Sequence, residues 1–120
     1  MPTAAPSDRT RQAMERLDGV ASFPHRFGGA EYRLAQRELG HVHGDELDDV
    51  PFPRRIRDEV IDQGWAEPHH LLPETGWVSC HLRRPEDVEH AMALLLRSYA
   101  LALEQRSRRD TPGSGESSAA

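Results

Sequence analysis

The chain has 120 residues and a mass of 13.5 kDa, which allows one domain and excludes a multidomain machine. Its net charge of −5 argues against nucleic acid as a partner, because proteins that bind phosphate backbones usually have a basic face. The longest apolar run, residues 91–96, is too short to span a bilayer, and no signal segment opens the chain. We therefore expect a cytoplasmic protein without membrane contacts.

The two ends of the chain differ in composition from its body. Residues 1–8 and 105–120 contain few apolar side chains, which predicts a disordered N-terminus, a folded domain over 9–104 and a disordered C-terminal tail. Within the first part, Ala13, Met14 and Leu17 recur at helical spacing. They predict a first helix over residues 8–18 that ends before Gly19.

Extended segments are predicted next, over residues 20–27, 30–35 and 38–43. A turn at Gly28 and Gly29 makes the first two a hairpin. In the second segment Tyr32 and Leu34 share one face, which is the alternation of a half-buried strand. Residues 45–49, which are rich in acids, are predicted to form a loop after the third strand.

The second half of the chain predicts two helices with a strand between them. Residues 53–63 form the first helix, with Ile56, Val60 and Ile61 facing inward. Residues 65–75 are predicted to form a loop or an irregular strand. The strand that follows, over residues 76–82, places Trp77, Ser79 and His81 on one face and Val78, Cys80 and Leu82 on the other.

The last helix begins at Pro85, and its apolar stripe is the clearest in the sequence. The stripe is formed by Val88, Met92, Leu95 and Tyr99, and Leu96 and Leu103 widen it. The order of elements predicts an α+β fold, in which a small, mainly antiparallel sheet has three helices packed against it in a single domain.

His41 and His43 form the most informative pattern. Residues two apart in a strand point the same way, so both imidazoles face one side of the sheet. Such a pair predicts either two ligands of a divalent zinc or iron ion, which need a third ligand, or a metal-free acid–base pair. His69, His70 and His81 are candidates for the third position, and of the adjacent pair His70 is preferred as the one that reaches the site. Oxygen donors are also near in sequence: Asp45, Glu46, Asp48 and Asp49. A structural role for the histidines stays open beside both.

Other residues are candidates for ligand binding. Arg26 and Arg37 have guanidinium groups that bind anions, although surface arginines more often pair with carboxylates. Trp77 and His81 share the polar face of the last predicted strand. The single cysteine, Cys80, lies on the apolar face of that strand and is expected to be an inert buried thiol. No cofactor other than a divalent metal is indicated.

Several blocks together resemble the bacterial luciferase-domain family. They are the segments His25–Gly29, Arg37–Gly44, Pro51–Arg55, Pro68–His70 and Gly76–Val78, followed by the helix around Arg97–Tyr99. The resemblance covers about residues 20–100. The family shares a domain with the fungal 3-hydroxyhispidin luciferase, which oxygenates its luciferin with molecular oxygen, but this chain lacks the membrane-spanning start of the fungal enzymes. The resemblance therefore does not imply light emission.

The resemblance implies a domain that binds a small organic molecule in a histidine-lined pocket. His41 or His43 would act as the base that removes the proton of an acidic enol, and Arg26 or Arg37 would steady the resulting anion. Two alternatives stay open. One is a metal-binding protein that uses the same histidines, and the other is a non-enzymatic module for protein or nucleic-acid interaction that resembles double-wing proteins. A homo-oligomer is compatible with each.

Overall fold

The predicted elements form one six-stranded sheet with three helices. The computed structural model describes residues 4–25, 28–69 and 71–109. In chain order the elements are α1 (Pro6–Glu15), β1 (Val20–His25), β2 (Gly29–Leu34), β3 (Arg37–His43), β4 (Leu47–Pro51), α2 (Arg54–Asp62), β5 (Glu67–Pro68), β6 (Trp77–His81) and α3 (Pro85–Arg109). The strands lie in the order β1-β2-β3-β4-β6-β5, and every neighbouring pair is antiparallel. The predicted α+β class is confirmed.

One face of the sheet packs against the helices and forms the core. Tyr32 and Leu34 of β2 are buried, and so are Val78 and Cys80 of β6, as the alternation predicted. From the helices, Met14, Ile56, Val60 and Leu95 complete the same core cluster. No helix in the described part of the chain is both long enough and apolar enough to cross a membrane.

A β-bulge in β3 changes the alternation of its side chains. Arg33 pairs with Glu38 and Tyr32 pairs with Gly40, so Leu39 is an extra residue without a partner across the strands. Leu39 is fully buried in the core cluster. Because a bulge inserts one residue into one strand, Glu38 and His41 lie on the same face, although residues three apart in a regular strand point to opposite faces.

The last helix, α3, extends beyond the predicted apolar stripe, and its buried residues are not all those of that stripe. Ala91, Leu94, Leu95 and Ala102 are its buried apolar residues together with Val88. Leu96 and Leu103 are exposed, so the prediction that they widen the stripe was wrong. The Asp87 carboxylate accepts hydrogen bonds from the backbone N–H groups of Arg83 and Arg84, which caps the helix in place of the poor cap Arg84.

The largest difference from the prediction is β4, which the sequence had indicated as an acidic loop. Leu47–Pro51 pairs with β3 on one side and β6 on the other. Asp48 and Asp49 are both buried within this central strand. Aspartate is disfavoured in strands, so the sheet contacts of both residues, together with the side-chain partners of Asp49, override local propensity here.

Helix α1 begins earlier than predicted. Its first turn includes residues 6–8, which the sequence had assigned to the terminal segment, and α3 extends past residue 104 to Arg109. Asp45, in the turn between β3 and β4, accepts a hydrogen bond from the Ser7 backbone N–H at 2.9 Å. This contact supplies the cap that α1 lacks from its own N-cap residue, Ala5.

Candidate functional site

The face of the sheet opposite the core carries a row of mainly polar side chains. Strand register places one residue from each neighbouring strand in line, in the order Phe23, Glu31, His41, Asp49, Ser79 and Glu67. His25 and His43 follow this row by two residues on β1 and β3, so they lie on the same face. We call the group of His25, His41, His43, His69 and Asp49 the histidine face.

Asp49 is at the centre of the histidine face. Only 1% of its side chain is exposed, and its Oδ1 accepts a hydrogen bond of 2.7 Å from the Ser79 hydroxyl. Its Oδ2 lies 3.2 Å from Nε2 of His41 and 3.0 Å from Nε2 of His43. Burial alone raises the pKa of this carboxyl, but the hydrogen bonds from His41 and Ser79 outweigh burial and lower the pKa to about 2. Asp49 is therefore an anion at neutral pH.

His41 is held between two carboxylates. Its Nε2 contacts Asp49, and its Nδ1 lies 2.6 Å from Oε2 of Glu38, which the bulge turns to this face. Burial lowers the pKa of His41, but the hydrogen bonds to Asp49 and Glu38 and the charges of both raise it to about 9. In the metal-free protein His41 is thus an imidazolium that donates through both nitrogens.

His25 brings a third imidazole to the pair predicted from the sequence. Its ring stacks on His41 with centroids 4.3 Å apart, and its Nδ1 lies 3.3 Å from Oε1 of Glu31. One nitrogen each from His25, His41 and His43 can be chosen so that all three lie within 4.8 Å of one another. These three histidines are a candidate ligand set for a metal ion.

His69 has a different role, which its hydrogen bonds define. Its Nδ1 accepts from the backbone N–H groups of Leu71 at 3.1 Å and Leu72 at 3.2 Å. A nitrogen that accepts carries no proton, so the proton of neutral His69 is on Nε2, which lies 3.5 Å from Asp49 Oδ2. His69 therefore orients Asp49 and does not offer a free lone pair on Nε2.

The other predicted site residues are divided between this face and other regions. The ring of Trp77 lies 5.0 Å from that of His41, on the histidine face. Arg37 extends to the opposite face, where its guanidinium contacts Gln105 of α3. His81 pairs with Glu67 at 3.2 Å, one strand away from Asp49. The predictions for Arg26 and His70 fall outside the described residues.

Comparison with known families shows a relationship for about half of the chain. The family model described as Luciferase domain matches residues 36–98, which is more than half of the chain. The chain belongs to the luciferase-domain family. No curated protein and no solved structure matches this chain.

The part of this luciferase-domain chain that the family model matches includes most of the histidine face. His41, His43, Asp49 and His69 lie inside residues 36–98, whereas His25 precedes them. His25 therefore comes to the site from a hairpin outside the matched region. Its position is set by the pairing of β1 with β2, which ends at His25 and Gly29.

Three residues of the luciferase-domain site were not predicted from the sequence as site residues: His25, Glu38 and Ser79. For His25, the predicted Gly28–Gly29 hairpin was only a partial signal, because it pairs the end of β1 with the start of β2, whereas the approach to His43 also requires β3 to pair with the other edge of β2. For Ser79, the signal was its position between Trp77 and His81 on one strand face. Glu38 gave no such signal, since only the bulge brings it beside His41.

Proposed function

We propose that the histidine face binds a divalent transition-metal ion and that the ion holds a small organic ligand. The observation that carries the proposal is the convergence of His25, His41 and His43, whose ring nitrogens come within 4.8 Å of one another. Imidazole is a preferred ligand of zinc, iron, copper and nickel. The sequence had suggested a metal site with a third ligand from elsewhere, and His25 supplies a candidate for it.

The carboxylates around the histidines support the same proposal. Glu31 contacts Nδ1 of His25, and Glu38 contacts Nδ1 of His41, so a metal would take Nε2 of each ring, which in His41 now faces Asp49. Metal-binding histidines commonly donate their other ring N–H to a carboxylate, which fixes the tautomer and makes the ligand more basic. Two of the three rings have this second contact.

Asp49 fits the position of a fourth ligand. With metal–ligand bonds of about 2.0–2.1 Å, neighbouring ligand atoms lie about 3.0 Å apart in an octahedral site and about 3.3 Å apart in a tetrahedral one. Asp49 Oδ2 lies 3.2 Å from Nε2 of His41 and 3.0 Å from Nε2 of His43, which is close to these spacings. The hydrogen bond from Ser79 to Oδ1 holds the carboxylate in this orientation.

Metal binding requires one imidazole ring to rotate. His25 and His41 are nearly parallel, with an angle of 17° between their planes, so their in-plane lone pairs do not meet at one point. His41 is held at both nitrogens by carboxylates, whereas His25 is held by Glu31 at Nδ1. We therefore expect His25 to rotate when the ion binds.

An ion held by three histidines and one aspartate would supply the chemistry that an oxygenase-type activity requires. A six-coordinate iron would keep two positions for the oxygen atoms of a small organic substrate or for molecular oxygen. Trp77 lies beside His41 and offers an aromatic surface to such a substrate. The proposed reaction class is the metal-dependent oxygenation of a small organic molecule.

Metal titration tests the proposal directly. Metal-free protein is titrated with Co²⁺, Zn²⁺ and, without oxygen, Fe²⁺, using calorimetry and the visible spectrum of the Co²⁺ form. We expect one equivalent to bind, and His43→Ala to weaken binding at least tenfold. His90→Ala is the matched control, because His90 stacks on Trp65 away from the histidine face. Absence of uptake, or equal weakening in the control, refutes the proposal.

A second candidate, acid–base chemistry without a metal, is favoured by the contacts of His43. Its Nε2 faces Asp49 at 3.0 Å, and among the residues that the structure describes its Nδ1 has no hydrogen-bond partner. A neutral His43 that donates to Asp49 through Nε2 would use Nδ1 as the base. This candidate predicts the Nε2–H tautomer, and ¹⁵N NMR of the metal-free protein that shows the Nδ1–H tautomer would exclude it.

A further inference from the structure

A cavity of about 230 Å³ lies beside the histidine face, at the end of the sheet formed by β5 and β6. Its wall includes Trp65, Glu67, Ser79, His81, Arg83 and Asp87. Since a water molecule occupies about 30 Å³ of liquid, the cavity has room for the equivalent of about seven waters. That is the size of a small organic acid.

Ser79 joins this cavity to the histidine face. It lines the cavity, and its hydroxyl donates a hydrogen bond of 2.7 Å to Asp49. Asp49 in turn contacts His41 and His43. A ligand in the cavity is therefore one side chain away from the carboxylate that we assign to the metal.

The cavity wall has one guanidinium that is available to bind an anion. Its two acids already have partners: Glu67 pairs with His81, and Asp87 pairs with Arg84 and with backbone N–H groups. Within the described ranges the Arg83 guanidinium has no ion-pair or hydrogen-bond partner. A guanidinium binds a carboxylate through two parallel N–H donors, which makes Arg83 the anion-binding group of this wall.

The apolar part of the wall favours an aromatic body. Trp65 and Ala66 line the cavity together with the polar residues of β6 and the segment that follows it. The Trp65 ring is held in place by stacking on His90, with centroids 4.3 Å apart and planes 5° apart. A fixed indole and a guanidinium in the wall of one cavity suit a planar ring that bears an acidic group.

We infer that this cavity binds the carboxylate end of a small aromatic acid and that the rest of the molecule faces the histidine face. The substrate class of the proposed metal centre is then an aromatic carboxylic acid. Its identification as a substrate rests on the proposed function, whereas binding to the cavity does not. The two parts can be tested separately.

Binding is tested with 4-fluorobenzoate as the probe and ¹⁹F NMR as the readout. We expect the full-length protein to bind it in the millimolar range, and 4-fluorobenzamide, which has the same shape without the charge, at least fivefold more weakly. Arg83→Gln should weaken benzoate binding at least fivefold, whereas Arg97→Gln, an exposed arginine on α3 that pairs with Glu59, should leave it unchanged. No binding, equal binding of the amide, or no effect of Arg83→Gln overturns the inference.

Proximity to the metal centre is tested by comparing the protein loaded with Co²⁺ and with Zn²⁺. Paramagnetic Co²⁺ should speed the ¹⁹F relaxation of bound 4-fluorobenzoate, and diamagnetic Zn²⁺ should not. Equal relaxation in a protein that holds both the metal and the probe overturns the link to the centre. Probe binding without metal uptake refutes the proposed function and leaves the cavity as an aromatic-acid site.

Discussion

Asp48→Asn is expected to change how the stability of the protein depends on pH. Asp48 is fully buried on the core side of β4, and neither of its carboxyl oxygens has a hydrogen-bond partner in the described part of the chain. Burial, and then the charge of Asp49, raise the pKa of Asp48 to about 7. The carboxyl is therefore neutral in mildly acidic solution and is forced to ionise in alkaline solution.

The expected magnitude follows from this pKa. A rise from 3.8 to about 7 corresponds to about 4 kcal/mol, since one pKa unit is worth about 1.4 kcal/mol. The folded state holds the proton more tightly than the unfolded state does. The free energy of unfolding therefore falls as the pH rises from about 4 to about 7, because Asp48 must then ionise in the folded protein. Above that range the full loss of stability due to Asp48 is present.

The test compares urea unfolding of the wild-type protein and Asp48→Asn at several pH values. Asparagine has nearly the same shape but no charge, so the difference in unfolding free energy should shift in favour of the variant by about 4 kcal/mol between about pH 4 and pH 8. Asp58→Asn, which changes an exposed carboxylate paired with Arg57, is the control and should show no such trend. A pH-independent difference for Asp48→Asn would contradict the reasoning.

Three further predictions concern other parts of the molecule. Gly76→Ala should lower stability by about 3 kcal/mol or more, because the new Cβ would lie 1.8 Å from the Phe52 carbonyl oxygen; an unchanged Tm in thermal unfolding would contradict this. Burial raises the pKa of Cys80 to about 12, so a thiol reagent at pH 8 should react after denaturation and not with the native protein. In the metal-free protein, Glu38→Gln should lower the pKa of His41 from about 9 by about one unit in an NMR titration, and an unmoved midpoint would remove Glu38 as a cause.

The parts of the fold that follow from local periodicity could be predicted from the sequence. Tyr32 and Leu34 lie on the buried face of β2, and Ile56 and Val60 are the buried residues of α2, as their spacing indicated. Strand β4 could not be predicted in this way, because its aspartates oppose strand formation locally. Contacts with two neighbouring strands, which are distant in sequence, determine its structure.

In the candidate site, too, only the residues whose positions follow from local spacing could be predicted. The spacing of His41 and His43 was enough to place both on one strand face, and the structure brings them together around Asp49. The addition of His25 depends on the order of three strands, which no local pattern contains. One clue to the bulge was present: strict alternation in β3 would have placed apolar Leu39 on the same face as the two histidines.

The bulge at Leu39 adds a side chain to the core without separating the two residues of the polar face that it spans. Removal of the single codon for Leu39 would leave β3 with uniform alternation, and Glu38 would then stand two residues before His41 and share its face. The core would instead lose the fully buried Leu39 side chain. Within the luciferase-domain family, a gap of one position at this point in a sequence alignment would therefore mark a chain that keeps this carboxylate–histidine pair and has a smaller core.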